Sequence, residues 1–480
     1  MVHAEQQDSQ TDGAVDGGRS RTASSIVVHR HALECPGCGA FYRQPPRSQL
    51  EVHCTRCHTV LRRTTRSPER DTVALAGTGL ALFILVGLMP YITFDMRGRE
   101  NVGTMLGGAL AFWEYGLWVL GLIVMFTTLI APFLRLVGLL AAVTAPRMRK
   151  PPRELYILLR VAQWVRPWSM IEVFMLGMLV AYSRLEALAH VRFGVALYAL
   201  GGLMLVMAAM DWALDPRDAW NKLEARGLVA DPVMMGEARR NAATRRFDER
   251  HAISCHGCGL VVEGADHDAS CPRCGSFLHR RKPDSVTRTI ALVVAAVLLY
   301  IPANIYPVMI ITSLGDTSPH TIVGGVKELI EADMWPLAAL VFFASVMVPV
   351  LKVIGLVWMI LRVRRPSMEG LKTRTRIFHV IEMIGRWSMI DVFVVTILIA
   401  LVHMGFIATI QPGPGALAFA GVVIITMLAA ETFDPRLMWD AAIERQRSTR
   451  HSRDQAAEEG PDRVGLVSSS RVSVQGGLSR

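Results

Sequence analysis

Eight cysteines in four CxxC pairs are the residues of this chain best suited to chemistry. Cys35-Pro-Gly-Cys38 precedes Cys54-Thr-Arg-Cys57, and Cys255-His-Gly-Cys258 precedes Cys271-Pro-Arg-Cys274. Two such knuckles a short loop apart bring four thiolates to the corners of a tetrahedron, which is what a structural zinc ribbon requires. Gly37, Gly39, Gly257, Gly259 and Gly275, with Pro36 and Pro272, suit the tight turns that aim both sulfurs of a pair at one ion. Redox pairs or disulfides are the competing reading. No thioredoxin-like βαβ pattern surrounds these cysteines, and their flanks look cytosolic, which favours two Zn2+ sites. Four sulfur ligands close the coordination sphere, so the metal is expected to hold structure and leave water unactivated. His53, His58, His256 and His279 beside the knuckles are then spare.

A second set of residues stands where charge is costly. Arg135, Glu172 and Asp211 in the first half, and Lys352, Asp391 and Glu431 in the second, fall within or close to long apolar stretches. A charge in hydrocarbon costs about 2.5 kcal/mol or more, so such residues face a bundle interior, pair, or mark a pathway. At about 1.5 Å rise per residue, Arg135 with Glu172, and Lys352 with Asp391, lie at similar depths and are expected to pair. Asp211 and Glu431, nearest the ends of their stretches, are expected to reach the headgroups. Ser169 and Ser388, as well as Thr127 and Thr128, are positioned to join a polar network. Two readings stay open, a static ion pair that ties helices together and a network that rearranges as something moves along the bundle.

The elements that position these residues are membrane spans. The 480 residues are 51% hydrophobic, mean hydropathy is +0.33, and about 20 apolar residues suffice to cross a bilayer. Eight stretches qualify, near residues 73–94, 117–143, 167–186, 194–214, 287–311, 334–361, 387–407 and 415–432. The net charge of +10 is concentrated in alternate segments: Arg62 to Arg70, Arg147 to Arg153, Arg217 to Arg288 and Arg362 to Arg376. By the positive-inside rule both termini and both ribbons are cytoplasmic. A nucleic-acid-binding surface is the weaker reading of this charge, because it flanks spans and lacks interleaved aromatics. The polar first residues do not resemble a cleavable signal.

The chain is also written twice, at an offset of about 217 to 220 residues. Trp168-Ser-Met-Ile-Glu-Val-Phe174 recurs as Trp387-Ser-Met-Ile-Asp-Val-Phe393, and Asp215-Pro-Arg217 with Trp220 recurs as Asp434-Pro-Arg436 with Trp439. Four spans per unit bring both units into the membrane in the same orientation, a parallel repeat about an axis along the membrane normal. The expected architecture is therefore a polytopic α-helical membrane protein, a tandem repeat of a small β-rich zinc ribbon and four transmembrane helices. We divide it into a disordered tail (1–29), ribbon one (30–66), membrane repeat one (67–230), a linker (231–250), ribbon two (251–282), membrane repeat two (283–445) and a disordered tail (446–480). Asp215 and Asp434 are good N-caps with proline next, opening short amphipathic helices expected to lie on the membrane with Trp220 and Trp439 at the headgroups.

No Walker loop, dinucleotide fingerprint, Ser/His/Asp arrangement or HExxH motif is present, so no enzyme is expected. A protein built twice from a CxxC…CxxC ribbon, four spans and the Trp-Ser-Met-Ile-(Glu/Asp)-Val-Phe segment resembles the paraquat-inducible protein A family, over residues 30–445. That resemblance implies a bacterial inner-membrane protein that passes phospholipid to or from a periplasmic MCE-domain partner forming a tunnel across the envelope. It also implies that a polar cluster among the spans matters for transport, at the matching positions Arg135, Glu172, Lys352 and Asp391. The alternatives are a zinc-ribbon scaffold or regulator of the envelope stress response and a proton-coupled small-molecule transporter.

Overall fold

The computed structural model describes residues 26–44, 51–63, 68–96, 99–145, 148–186, 190–242, 247–265, 269–313, 316–401 and 408–458. Six helices are long and apolar enough to cross a membrane: Trp118–Thr144, Val195–Ala213, Ser285–Ile305, Trp335–Arg364, Leu371–Leu401 and Pro414–Thr432. A seventh is a bent pair, Leu155–Trp164 and Arg166–Ser183, broken by 44°. The first expected span is a shorter apolar segment, Thr72–Leu88. The eight expected stretches thus correspond to six straight spans, one broken one and one short one. The break has a local cause. Pro167 lies in the 3-10 turn Arg166–Trp168, and proline supplies no N–H to continue a helix. In the second repeat Arg386 stands at the matching position, and the helix runs on to Trp387 before resuming at Ile390.

The repeats agree in detail beyond the motifs that reveal them. The second span of each carries a π-helical turn, Phe126–Ile130 and Phe343–Met347. Both turns precede a proline, Pro132 and Pro349, whose missing N–H and ring displace the ladder. At the end of the bundle away from the ribbons each repeat adds a small antiparallel sheet that sequence reading did not foresee. Ile92–Met96 pairs with Arg99–Gly103 and His190–Phe193. Met309–Ser313 pairs with Asp316–His320 and Ala408–Pro412. The strands take up residues 92–94 and 309–311, which had been assigned to spans. Gly194 and Gly413 close these sheets, and a Cβ on either would come within 2.1 Å of the carbonyl oxygen of Pro90 or Pro307. Only glycine permits that approach.

The repeated motif is also where the halves meet. Phe174 and Phe393, equivalent residues, pack edge to face with centroids 5.5 Å apart. Gly177 lets the two helices close, since a Cβ there would stand 3.0 Å from the Phe393 Cβ. Such an aromatic pair adds about 0.5–1.5 kcal/mol to its burial.

At the other end, the two terminal segments expected to be featureless are partly ordered. Val27–His29 forms a strand that pairs with Val261–Glu263 of the second ribbon, with His29 Nε2 2.9 Å from Glu263 Oε2. The Arg436–Glu458 helix continues through 446–458, where Gln, Arg, Ala and Glu, good helix formers, outnumber Ser, Thr, His and Asp. The linker holds a helix, Pro232–Ala242. The rest of both tails lies outside the described residues.

Candidate functional site

Each ribbon brings its four sulfurs together by the same local device. In every knuckle the first cysteine's amide donates to the carbonyl five residues on, and the fourth residue on donates back to the cysteine's own carbonyl, as in Cys35 N to Ala40 O and Gly39 N to Cys35 O, both 2.9 Å. That fourth residue is left-handed in all four: Gly39, His58, Gly259 and Gly275, with φ of 72°, 62°, 71° and 72°. The sulfurs approach to 3.4 Å (Cys35–Cys57), 3.6 Å (Cys38–Cys54), 3.5 Å (Cys255–Cys274) and 3.7 Å (Cys258–Cys271). In each group all four lie within 4.8 Å of one another and all are buried. A tetrahedron with metal–sulfur bonds of about 2.3 Å has edges of about 3.8 Å, so both groups fit one tetrahedral ion with little movement. The thiols are already unequal. The hydrogen bond from Cys38 draws Cys35 down to about 5, and that from Cys255 draws Cys274 well down.

The ribbons do not sit on their own repeats. Cys35, Cys38, Cys54 and Cys57 share a core with Leu356, Phe378, Phe433 and Trp439 of the second repeat. Arg56 lies 4.4 Å over the Trp439 ring, and Glu34 accepts from Arg281 and Arg436, both at 2.9 Å. The second ribbon docks on the first repeat in turn. Arg273 donates to Asn221 at 3.0 Å and Glu224 at 3.3 Å, and Arg160 to the Cys274 carbonyl at 3.4 Å. Other side chains reach back to their own repeats: Arg30 pairs with Glu224 and Arg62 with Asp215 at 3.0 Å and Asp218 at 3.4 Å, while Arg281 pairs with Asp440 at 2.6 Å, Lys282 donates to the Glu431 carbonyl and His256 meets Arg436 at 2.6 Å. The amphipathic helices are the floor of both interfaces, which corrects their expected place at the headgroups. Trp220 and Trp439 are buried and donate to Gln163 (3.1 Å) and Thr375 (3.0 Å). The caps differ. Burial, with Asp218 beside it, raises the Asp215 carboxyl. Asp434, although buried, is held below the usual range by Arg436.

Within the spans, the expected pairs are not the ones formed. Arg135, buried, pairs with Asp211, and Arg166 Nε also approaches Asp211 to 3.5 Å. Asp211 is one helical turn before Asp215, so it reaches the bundle interior rather than the headgroups. Glu172, on the other side of the break at Pro167, is exposed and makes no ion pair with Arg135. Lys352 is 1% exposed and donates to the Thr426 hydroxyl at 3.4 Å, not to Asp391. Thr426, missed by sequence reading because threonine is ordinary in membrane helices, gives its own proton to the Val423 carbonyl at 3.0 Å and so presents lone pairs to the ammonium. Ser169 and Ser388 occupy equivalent positions, and each hydroxyl is buried with no hydrogen-bond partner among the described residues. A buried hydroxyl left this way calls for an explanation.

Asp391 lines a narrow, largely apolar cleft with Ser345, His320, Phe112, Val341 and Phe419, adjoining the second outer sheet. Ser345 belongs to the π-helical turn and gives its proton to the Val341 carbonyl at 2.6 Å. The space inside is about 60 Å³, room for a few waters. Among the described residues three wider cavities open at the ribbon end, two of which bear on the charges of the spans. One, of about 560 Å³, exposes Asp211 between the ribbons. The other, of about 310 Å³, is bordered by Glu431, Arg166 and Gly385. A Cβ on Gly385 would stand 3.1 Å from the Lys352 side chain, so this glycine is the wall between cavity and lysine.

Compared with known proteins, residues 70–224 and 286–443 match the family model described as paraquat-inducible protein A. The chain is 32% identical to the intermembrane transport protein PqiA of Escherichia coli (strain K12) over 421 residues, 86% of this chain and 98% of that one. It is 27% identical to the lipophilic envelope-spanning tunnel protein A of the same strain, over 85% of this chain and 91% of that one. A probable intermembrane transport protein of Haemophilus influenzae is 24% identical, over 85% and 95%. No solved structure matches the chain.

Proposed function

The chain belongs to the paraquat-inducible protein A family, and from that premise we propose that it is the inner-membrane component of an intermembrane lipid transport system. In this reading it exchanges phospholipid between the inner membrane and a tunnel formed by a periplasmic MCE-domain partner. The names of its relatives, which speak of intermembrane transport and an envelope-spanning tunnel, support this. The observation that carries it is Lys352, an ammonium buried in a membrane span with a threonine hydroxyl as its contact and no carboxylate paired with it among the described residues. Holding a charge this way is costly, and a charge so placed within a span points to a pathway or a moving part. The Ser345–Asp391 cleft lies two turns along the same helix and is too narrow to admit an acyl chain. Transport therefore requires the repeats to part there, with the orphaned Ser169 and Ser388 hydroxyls free to take new partners at the junction.

The ribbons are cytoplasmic and hold Zn2+. The crowding of Arg and Lys at their end of the bundle supports the first statement, and the sulfur spacing supports the second. The outer sheets then face the periplasm, where a tunnel would dock. The test is to isolate the protein from native membranes in mild detergent and identify bound proteins and lipids by mass spectrometry. A periplasmic MCE-domain protein with phospholipid is expected. Cytoplasmic partners alone would turn the ribbons into the site of function and favour the scaffold or regulator.

A further inference from the structure

The second cavity at the ribbon end is built for a ligand that carries both signs of charge. Its walls hold two guanidinium groups, Arg166 and Arg386, and two carboxylates, Glu382 and Glu431, with His379 between them. Arg166 is shared with Asp211 at 3.5 Å, and Glu382 takes a 3.4 Å contact from His379. Arg386 has no side-chain hydrogen bond or ion pair among the described residues. The Glu431 carbonyl accepts from Lys282, whose ammonium also lies near the Glu382 and Glu431 carboxylates, and the Glu431 carboxylate lines the cavity with no ion pair among the described residues. The helix that forms one wall presents Val380, Met383 and Trp387 outward, 41%, 52% and 50% exposed. The cavity is thus a charged recess of about 310 Å³ that opens beside an apolar surface.

We infer that this recess binds the head group of a zwitterionic phospholipid that carries a primary ammonium. The guanidinium groups take the phosphate, a geometry that suits the arginine fork, and the carboxylates take the ammonium while the acyl chains lie along Val380, Met383 and Trp387. A purely anionic head group would leave two carboxylates facing its charge. A quaternary ammonium offers them no hydrogen-bond donor, and no Trp, Tyr or Phe lines the recess to form a cation–π cage. Gly385 places the bound head group one residue's thickness from Lys352, so occupancy is reported directly to the buried ammonium. The inference rests on the lipid-transport reading and adds to it the class of lipid and its place of entry or exit.

The full chain, purified in mild detergent, is equilibrated with equimolar phosphatidylethanolamine, phosphatidylglycerol and phosphatidylcholine, and retained lipid is counted by native mass spectrometry. Retention of phosphatidylethanolamine about fivefold above the other two is expected. Glu382→Gln with Glu431→Gln should bring that ratio close to one, and Glu431→Gln alone should lower it if the double variant is poorly folded. Arg386→Gln should weaken retention of all three. Equal retention by the unaltered protein, or a preference that survives loss of both carboxylates, overturns the head-group assignment while leaving transport standing if an MCE-domain partner is still captured. No retained phospholipid of any class and no such partner would remove both.

Discussion

The two membrane repeats are one design carried out twice with different electrostatics. In the first, a buried cation meets a carboxylate (Arg135 with Asp211), and the third span is broken at Pro167. In the second, the cation's one hydrogen-bond partner among the described residues is the Thr426 hydroxyl, and the third span is long and mostly buried. Sequence equivalence does not carry the pairing with it. At the 219-residue offset kept by both ends of the fourth span (Gly194 with Gly413, Asp215 with Asp434), Met207 stands where Thr426 would be matched and Ala430 where Asp211 would be, while Glu431, one residue further on, opens on a cavity instead of reaching Lys352. The first repeat is therefore closed by an ion pair that satisfies itself, and the second is left with an unspent charge next to a cleft. Pseudosymmetry here keeps the scaffold and breaks the chemistry.

The ribbons extend the comparison, because each is clamped to the other's repeat. The largest effect should follow from unmaking one clamp. A structural zinc site contributes about 10–16 kcal/mol of folding free energy, so Cys54→Ser should unfold the first ribbon and lower protein abundance. By hydrogen exchange the loss of protection should spread to Leu371–Trp387 and the Arg436–Glu458 helix of the second repeat. Cys271→Ser should expose Leu155–Trp164 and Pro216–Ala225 of the first. If each substitution loosens its own repeat instead, the crossed docking is wrong.

A smaller effect separates the two buried cations. Arg135→Met leaves Asp211 without its partner. Breaking a buried pair costs about 3–5 kcal/mol, and since Asp211 is 35% exposed a loss of about 2 kcal/mol is expected. Lys352→Met removes a buried charge that no carboxylate compensates and should raise stability by about 1–2 kcal/mol while abolishing lipid transfer. Thermal unfolding in detergent reads both signs. Two losses of similar size would mean that Lys352 is as well compensated as Arg135, and the contrast between the repeats would fall.

The smallest concerns the four knuckles. His58 adopts the left-handed conformation that glycine takes in the other three. His58→Gly should relieve about 1 kcal/mol of backbone strain, seen as slower zinc release from the first ribbon to a chelator. An unchanged release rate would show that the His53 contact to the His58 carbonyl at 3.3 Å fully offsets the strain.

Much of this was legible in the residues. Eight cysteines with one spacing, a doubled motif and alternating basic segments specify two ribbons, a parallel duplication and a polytopic bundle, because each rests on local chemistry or on a period that the linear chain displays. The family follows from the same features. The outer sheets were hidden because their strands continue apolar runs, and hydropathy does not distinguish the end of a span from a short strand. The tail helices were read correctly as amphipathic and placed wrongly, since an apolar face says that something covers it and not what does.

What the sequence determined by itself, then, is which groups must be buried and that each set of four cysteines can hold a metal ion. Which charge faces which was decided only in three dimensions. Arg135 takes Asp211 of the fourth span and leaves Glu172 of the third exposed. The crossing of the ribbons was likewise settled by tertiary packing. Glu34 finds Arg436 some four hundred residues away along the chain, and a linear pattern holds no information about contacts between segments of equal chemistry. The packed interfaces, with their buried tryptophans and arginine–carboxylate pairs, hold the crossed arrangement.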